Sequence, residues 1–89
     1  MLKHLDIKAA GRVQGVFFRL AAKEKALALG LSGFARNETD GGVLIEAEGE
    51  EKALASFVAW CRVGPELSTV KGLEVKEGGW QGHRGFKVF

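Results

Sequence analysis

The stretch Gly11–Arg19, with the sequence GRVQGVFFR, combines the residue types that a phosphate-binding turn needs. It has two glycines and no proline, so each of its main-chain N–H groups is available as a hydrogen-bond donor. It lies between a strand-like run and a helix-like run. A turn that ends at a helix N-terminus gathers unpaired N–H groups at the positive end of the helix dipole. Arg19 closes the stretch with a planar, permanently charged group that matches phosphate oxygens, so these residues indicate the binding of a phosphoryl group.

The same residues also permit plainer interpretations. The patterns G-x-G-x-x-G and G-x-x-x-x-G-K-[ST], which are typical of dinucleotide and nucleotide phosphate sites, are both absent. A glycine-containing turn between a strand and a helix is more often only a turn, and an arginine such as Arg19 is, by itself, more often a solvated helix residue. Asn37 lies beside a turn, where asparagine commonly tolerates positive φ or forms an Asx-turn.

Hydrophobic periodicity divides the chain into the elements that must position these residues. Alternation with period two predicts strands, and apolar spacing of i, i+3, i+4 predicts helices. The predicted strands cover residues 3–9, 32–37, 43–48, 70–77 and 85–89, and the predicted helices cover 18–29 and 50–63. Asp40 and Gly41 tolerate positive φ and predict a hairpin turn between the second and third strands.

The order β-α-β-β-α-β, followed by a short C-terminal strand, predicts a ferredoxin-like split βαβ sandwich of the α+β class. Two helices are expected on one face of an antiparallel sheet, in a single domain over residues 1–89. This architecture hosts enzymes, RNA binders and metal-binding modules, so the fold alone does not indicate the function.

Two motifs resemble the signatures of the acylphosphatase family. The first is Gly11-x-Val13-Gln14-Gly15-Val16-x-Phe18-Arg19, and the second is Gly33-Phe34-Ala35-Arg36-Asn37, followed by Gly41-x-Val43 and Gly49. They occur in the order and at the separation of that family, and the resemblance spans essentially the whole chain. The departures are slight: Phe34 stands where tryptophan is also common in the family, and Ala9 is small for its apolar position.

The resemblance implies an acylphosphatase, which hydrolyses an acyl phosphate to a carboxylate and inorganic phosphate without a metal or another cofactor. It implies two catalytic side chains, with Arg19 holding the phosphate and Asn37 orienting the attacking water. It also implies that the phosphate is bound mainly by main-chain N–H groups, those of Val13, Gln14, Gly15, Val16, Phe17 and Phe18. The expected partner is a small-molecule acyl phosphate, with phosphate or sulfate as competing anions.

The other chemically capable side chains have structural interpretations. His4 and His83 are far apart in sequence and are expected at the surface, and no Cys/His group has the spacing of metal ligands. Cys61 lies on the apolar face of the second helix and is expected to be a buried, inert thiol. Glu46 and Glu48 alternate outward on a strand and are expected on a solvated face.

Composition and charge exclude several classes of protein. The chain has 89 residues, a net charge of +2 and 46% hydrophobic residues, which is ordinary for a soluble globular domain and too weakly basic to indicate a nucleic-acid partner. A single cysteine excludes an internal disulfide and favours a reducing compartment. The N-terminus lacks the apolar core of a signal peptide, and no run approaches the ~20 apolar residues of a membrane span. We therefore expect a cytoplasmic protein without a membrane partner, and a monomer.

Two alternatives stay open at this point. An RNA-binding domain of this fold would need aromatic side chains on the exposed face of its central strands, where the sequence offers Asp6, Lys8, Leu44, Glu46 and Glu48 instead. The other alternative is an acylphosphatase-like domain within a larger maturation enzyme.

Overall fold

The computed structural model describes all residues from 1 to 89, and every predicted element is present in the predicted order. The elements are β1 (Leu2–Arg12), α1 (Phe18–Ala28), β2 (Ser32–Asn37), β3 (Val43–Glu50), α2 (Glu51–Val63), β4 (Thr69–Gly78) and β5 (Phe86–Val88). Strand β3 is longer than predicted because Gly49 does not interrupt it but pairs with Lys3 of β1.

The five strands form one sheet in the order β4-β1-β3-β2-β5. The sheet is antiparallel as predicted except at one edge, where the short C-terminal strand β5 runs parallel to β2 and Gly33 pairs with Phe86. Strand β4 ends at the same end of the sheet at which β5 begins, but the two occupy opposite edges. The connecting loop, residues 79–85, therefore crosses the sheet without doubling back, and this fixes the direction of β5.

Both helices cover one face of the sheet and enclose the hydrophobic core. Ile7 and Ile45 pair across β1 and β3 and are fully buried beneath the helices. Phe18 of α1 packs on Trp60 of α2, with ring centroids 5.6 Å apart, and joins the two helices. The remaining large core side chains include Leu54 and Phe57. Neither helix has the length and apolar character needed to cross a membrane.

Strands β1, β2 and β5 point the same way, so their C-terminal ends meet at one end of the sheet. The register aligns Ala9 with Val43 and Val43 with Asn37 near that end. Helix α1 begins there, after residues 13–17, so the loop before α1, Arg19 in its first turn and Asn37 at the end of β2 all lie at this end of the sheet.

The opposite end of the sheet corrects two predictions. His4 and Glu48, expected at the surface, are only 3% and 1% exposed, because the β4–β5 loop crosses the helix-free face above them. The main-chain N–H groups of Gln81 and His83 both donate to the Glu48 carboxylate. Burial opposes ionisation of Glu48, but these donors and His4 outweigh it and lower the pKa of Glu48. Burial likewise disfavours the His4 imidazolium, but hydrogen bonds with Asp6 and Glu48 raise the pKa of His4.

Candidate active site

The turn between β1 and α1, residues 13–17 (the β1–α1 loop), has an unusual backbone. Gly15 and Phe17 have φ values of +71° and +60°, whereas Val16 between them does not have positive φ. Such alternation directs successive N–H groups toward a common side and forms an anion-binding concavity. Phe17 is the one non-glycine residue with positive φ, a conformation that costs about 1–3 kcal/mol and tends to occur at functional sites.

The main-chain N–H groups of the β1–α1 loop donate no hydrogen bond within the chain. Helix α1 begins at Phe18, and its first-turn N–H groups have no partner inside the helix. The first hydrogen bond of the helix runs from the N–H of Ala21 to the carbonyl of Phe17, at 3.0 Å. No side chain caps the helix N-terminus. A run of main-chain N–H groups is thus free to donate hydrogen bonds to an anion bound at the positive end of α1.

Three buried side chains fix the loop to the core. Val13, Val16 and Phe18 are at most 5% exposed, whereas Phe17 is 74% exposed. The buried side chains point inward beneath the helices, so they hold the strained backbone between them in place. This anchoring leaves the loop little freedom to rearrange when a ligand binds.

The side chain of Gln14 joins the loop to the turn between β2 and β3. Its Nε2 donates to the carbonyl oxygens of Glu38 and Gly42, at 2.8 and 2.9 Å. The turn is closed in addition by a hydrogen bond from the N–H of Gly42 to the Asp40 side chain, at 2.9 Å. Because Glu38 follows Asn37 directly, Gln14 holds the end of β2 beside the β1–α1 loop.

Arg19 lies in the first turn of α1, on the wall of a cavity of about 240 Å³. Its Nη1 donates to the main-chain oxygen of Phe89. The N–H of Phe89 in turn donates to the carbonyl of Ala35 on β2, at 3.0 Å. The chain after β5 thus links Arg19 to strand β2. The other residues that line the cavity are Val13, Gly15, Phe17, Phe18, Leu20 and Val88.

Asn37 is the last residue of β2 and pairs with Val43. Strand periodicity places its side chain on the same face as Ala35, which is fully buried beneath the helices. Asn37 itself is exposed, and its side chain makes no hydrogen bond within the chain. Arg19 and Asn37 therefore lie at the same end and on the same side of the sheet, linked through Gln14 and through Phe89, although no hydrogen bond joins them directly.

Sequence reasoning missed two contributions to this site. Gln14 was expected to contribute only its N–H group, but its side chain bridges two loops; its place inside a dense motif was the available signal. The contact of Phe89 with Arg19 had no local signal, because it depends on β5 adding to the sheet beside β2. The expectation for Cys61 is confirmed: it is fully buried, and desolvation raises the pKa of its thiol to about 12.

Comparison with known proteins finds relatives that match nearly the whole chain. A family model described as Acylphosphatase matches residues 5–88. The acylphosphatase of Nocardioides sp. is 46% identical over 88 residues, which cover 99% of this chain and 89% of that relative.

Solved structures match across the whole chain. The crystal structure of acylphosphatase from Bacillus subtilis superimposes with a TM-score of 0.95 at 40% identity, and the match covers 100% of this chain and 99% of that one. Full-length HypF in its phosphate- and nucleotide-bound form matches with a TM-score of 0.90 at 29% identity, but the match covers only 12% of the HypF chain. The chain therefore belongs to the acylphosphatase family, whose members are hydrolases of acyl phosphates.

Proposed function

We propose that this chain hydrolyses acyl phosphates without a metal ion, with the phosphate held by the main-chain N–H groups of residues 13–18 and by Arg19, and with the attacking water oriented by Asn37. One observation carries the proposal. The N–H groups of a strained, well-anchored loop donate to no group of the protein, and they converge on the N-terminus of the helix that carries Arg19.

The phosphate group matches these donors in charge and in geometry. Main-chain N–H groups and a helix N-terminus bind anions without displacing any internal hydrogen bond. The guanidinium of Arg19 has five N–H donors, so it can keep its bond to Phe89 and still present donors to phosphate oxygens. Phosphate and sulfate share this oxyanion chemistry and are expected to compete with the substrate.

The chemical step needs positioning more than acid catalysis. The water oxygen attacks phosphorus, the bond between phosphorus and the acyl oxygen breaks, and the carboxylate departs with the bonding electrons. A carboxylate is a good leaving group and needs no strong general acid. Phosphoryl transfer depends mainly on alignment and on stabilising charge on the equatorial oxygens, which the loop and Arg19 supply.

The role of Asn37 follows from its neutrality. A carboxamide cannot act as a general base, but its oxygen can accept a hydrogen bond from water and direct the water lone pair at phosphorus. The proton of the water passes to a phosphate oxygen of the substrate, so the products are a carboxylate and inorganic phosphate. The free side chain of Asn37, on the helix side of the sheet, is consistent with this role.

The test is turnover of benzoyl phosphate and acetyl phosphate in excess chelator. We expect unchanged turnover in chelator, and losses of at least about 10²-fold in both Arg19→Gln and Asn37→Ala. Arg36→Gln is the matched control, because Arg36 precedes Asn37 on β2 but points to the opposite face and pairs with Glu38, at 3.4 Å. Folded Arg19→Gln or Asn37→Ala proteins with full activity would refute the assignment of that residue, and loss of activity in chelator would refute the metal-free mechanism.

No observation favours the RNA-binding alternative. A shallow cavity on the helix-free face is lined by Asp6, Lys8, Leu44, Glu46, Glu74 and Lys76, which include no aromatic side chain. Base stacking on this fold requires aromatic side chains there.

A further inference from the structure

Three apolar side chains beside the β1–α1 loop remain open to solvent. Phe17 is 74% exposed, Leu20 51% and Val88 37%. All three line the cavity of about 240 Å³ on whose wall Arg19 lies (the Arg19 cavity). Main-chain N–H groups and a guanidinium are sufficient to bind phosphate, so phosphate binding does not account for these apolar side chains.

The conformation of Phe17 indicates that its side chain has a use at this position. Its left-handed backbone, with φ of +60°, is one that glycine or asparagine adopts more readily. Its neighbours Val16 and Phe18 are buried, but the side chain of Phe17 is exposed. Packing in the core therefore does not offset the strain of Phe17, whereas a contact between its ring and the substrate would.

Leu20 and Val88 reach the same cavity from two other elements. The Cα–Cβ bonds of a helix tilt toward its N-terminus, so an outward side chain in the first turn extends toward the preceding loop. Leu20 is outward, because Phe18 and Ala22 on either side of it face the core. Val88 lies on β5, where it pairs with Ala35 of β2. A loop, a helix and the edge of the sheet thus form one apolar wall.

The acyl group of a bound substrate must lie close to this wall, because it is covalently joined to the phosphate. The same loop that carries the phosphate-binding N–H groups also carries Phe17. Arg19 is the only charged residue that lines the cavity, and the phosphate occupies it. A second charge on the acyl group would therefore lose water without gaining an ion pair, whereas an apolar acyl group gains from burial.

We propose that Phe17, Leu20 and Val88 bind the acyl part of the substrate and select acyl phosphates whose acyl group is apolar and uncharged. This inference rests on the proposed function, since it places the acyl group beside a phosphate that the β1–α1 loop holds. The contacts exist in the ground state and in the transition state alike, so they act on KM more than on kcat.

The test compares kcat/KM for acetyl, butanoyl and hexanoyl phosphates. Their carboxylates are leaving groups of nearly equal basicity, so a trend with chain length reports contact with the acyl chain. Full burial of one methylene group would raise kcat/KM about 4-fold, and a wall open to solvent predicts about 2-fold per methylene group. We therefore expect kcat/KM for hexanoyl phosphate to exceed that for acetyl phosphate by at least about 10-fold.

Leu20→Ala removes part of the wall, and Leu27→Ala is its matched control. Leu27 is 50% exposed and lies on the same outer face of α1, but about 10 Å further along the helix. We expect the ratio of kcat/KM for hexanoyl phosphate to that for acetyl phosphate to fall at least about 3-fold in Leu20→Ala. The ratio should keep its wild-type value in Leu27→Ala. Phe17→Ala is a second variant, in which the ratio should fall in the same way.

The outcomes separate this inference from the proposed function. Equal kcat/KM for the three substrates in the wild type would overturn the acyl-binding role and leave the hydrolysis of acyl phosphates intact. The wild-type ratio in both Leu20→Ala and Phe17→Ala would do the same. If none of the three substrates is hydrolysed, the proposed function is refuted, and this inference with it.

Discussion

Gln14→Glu is the change that most directly probes how the two halves of the active site are held together. The substitution keeps the shape of the side chain but replaces the NH₂ group, which donates to the carbonyl oxygens of Glu38 and Gly42. A carboxylate oxygen there would face two carbonyl oxygens and be repelled. The bridge between the β1–α1 loop and the turn that follows Asn37 is then lost.

The structure sets the size of the effect. Each of the two hydrogen bonds contributes about 0.5–1.5 kcal/mol net, so the free energy of unfolding should fall by about 1–3 kcal/mol. Activity should fall further than stability, because displacing Asn37 by about 1 Å relative to the bound phosphate can cost ~10²-fold in rate. We expect the loss mainly in kcat, with a smaller change in KM, since the phosphate-binding donors and Arg19 remain.

Urea denaturation and steady-state hydrolysis of benzoyl phosphate measure the two effects. Gln81→Ala is the matched control, because Gln81 Nε2 also donates to a main-chain carbonyl, that of Gly79 at 3.3 Å, but at the opposite end of the molecule. We expect Gln81→Ala to keep the wild-type kcat. A folded Gln14→Glu protein with wild-type kcat would refute the claim that this bridge positions Asn37.

Four further predictions concern the backbone and the core. Gly15→Ala should lower the free energy of unfolding by about 1–2 kcal/mol, because a Cβ meets no atom within 4 Å but φ is left-handed; an unchanged urea midpoint would contradict this. Gly33→Ala should lower the free energy of unfolding by much more in the same assay, because its Cβ would lie 1.8 Å from the carbonyl oxygen of Glu46; a loss no larger than that of Gly15→Ala would contradict the close pairing of β2 with β3. Cys61 should resist iodoacetamide at pH 8 until the chain unfolds, since burial raises its pKa from 9.0 to about 12; rapid labelling of the native protein would disprove its burial. The thiol of Cys61 ionises above about pH 9 in the unfolded chain but only near pH 12 in the native one, so ionisation stabilises the unfolded chain as the pH rises. Between pH 8 and pH 10 the free energy of unfolding should therefore fall by about 1.4 kcal/mol more in the wild type than in Cys61→Ala. Equal falls in the two proteins would show that the pKa of the thiol is not raised.

The sequence predicts the elements well because local pattern and final environment agree. Ile7 and Ile45 alternate with polar residues, and both are buried beneath the helices as that alternation requires. Phe18, Ala22 and Ala26 recur at helical spacing and form the buried stripe of α1. The acylphosphatase motifs place Arg19 and Asn37 at element ends that the topology brings to one end of the sheet.

The predictions fail where a distant segment changes the environment of a strand. His4 and Glu48 alternate outward as expected, but the β4–β5 loop crosses over them and supplies N–H donors to Glu48. No local pattern reveals that crossing, because it follows from β5 adding to the edge beyond β2. The hydrogen bonds of the Gln14 side chain could not be predicted for the same reason, because their two acceptors lie in a turn far along the chain.

The most direct test of the proposed site is an NMR titration of the main-chain amides with inorganic phosphate. We predict that the largest chemical-shift changes fall on the N–H groups of residues 13–19, and that they weaken strongly in Arg19→Gln but not in Arg36→Gln. Shift changes scattered elsewhere on the surface, or the same response in Arg19→Gln as in the wild type, would contradict a phosphate held by this loop and this arginine.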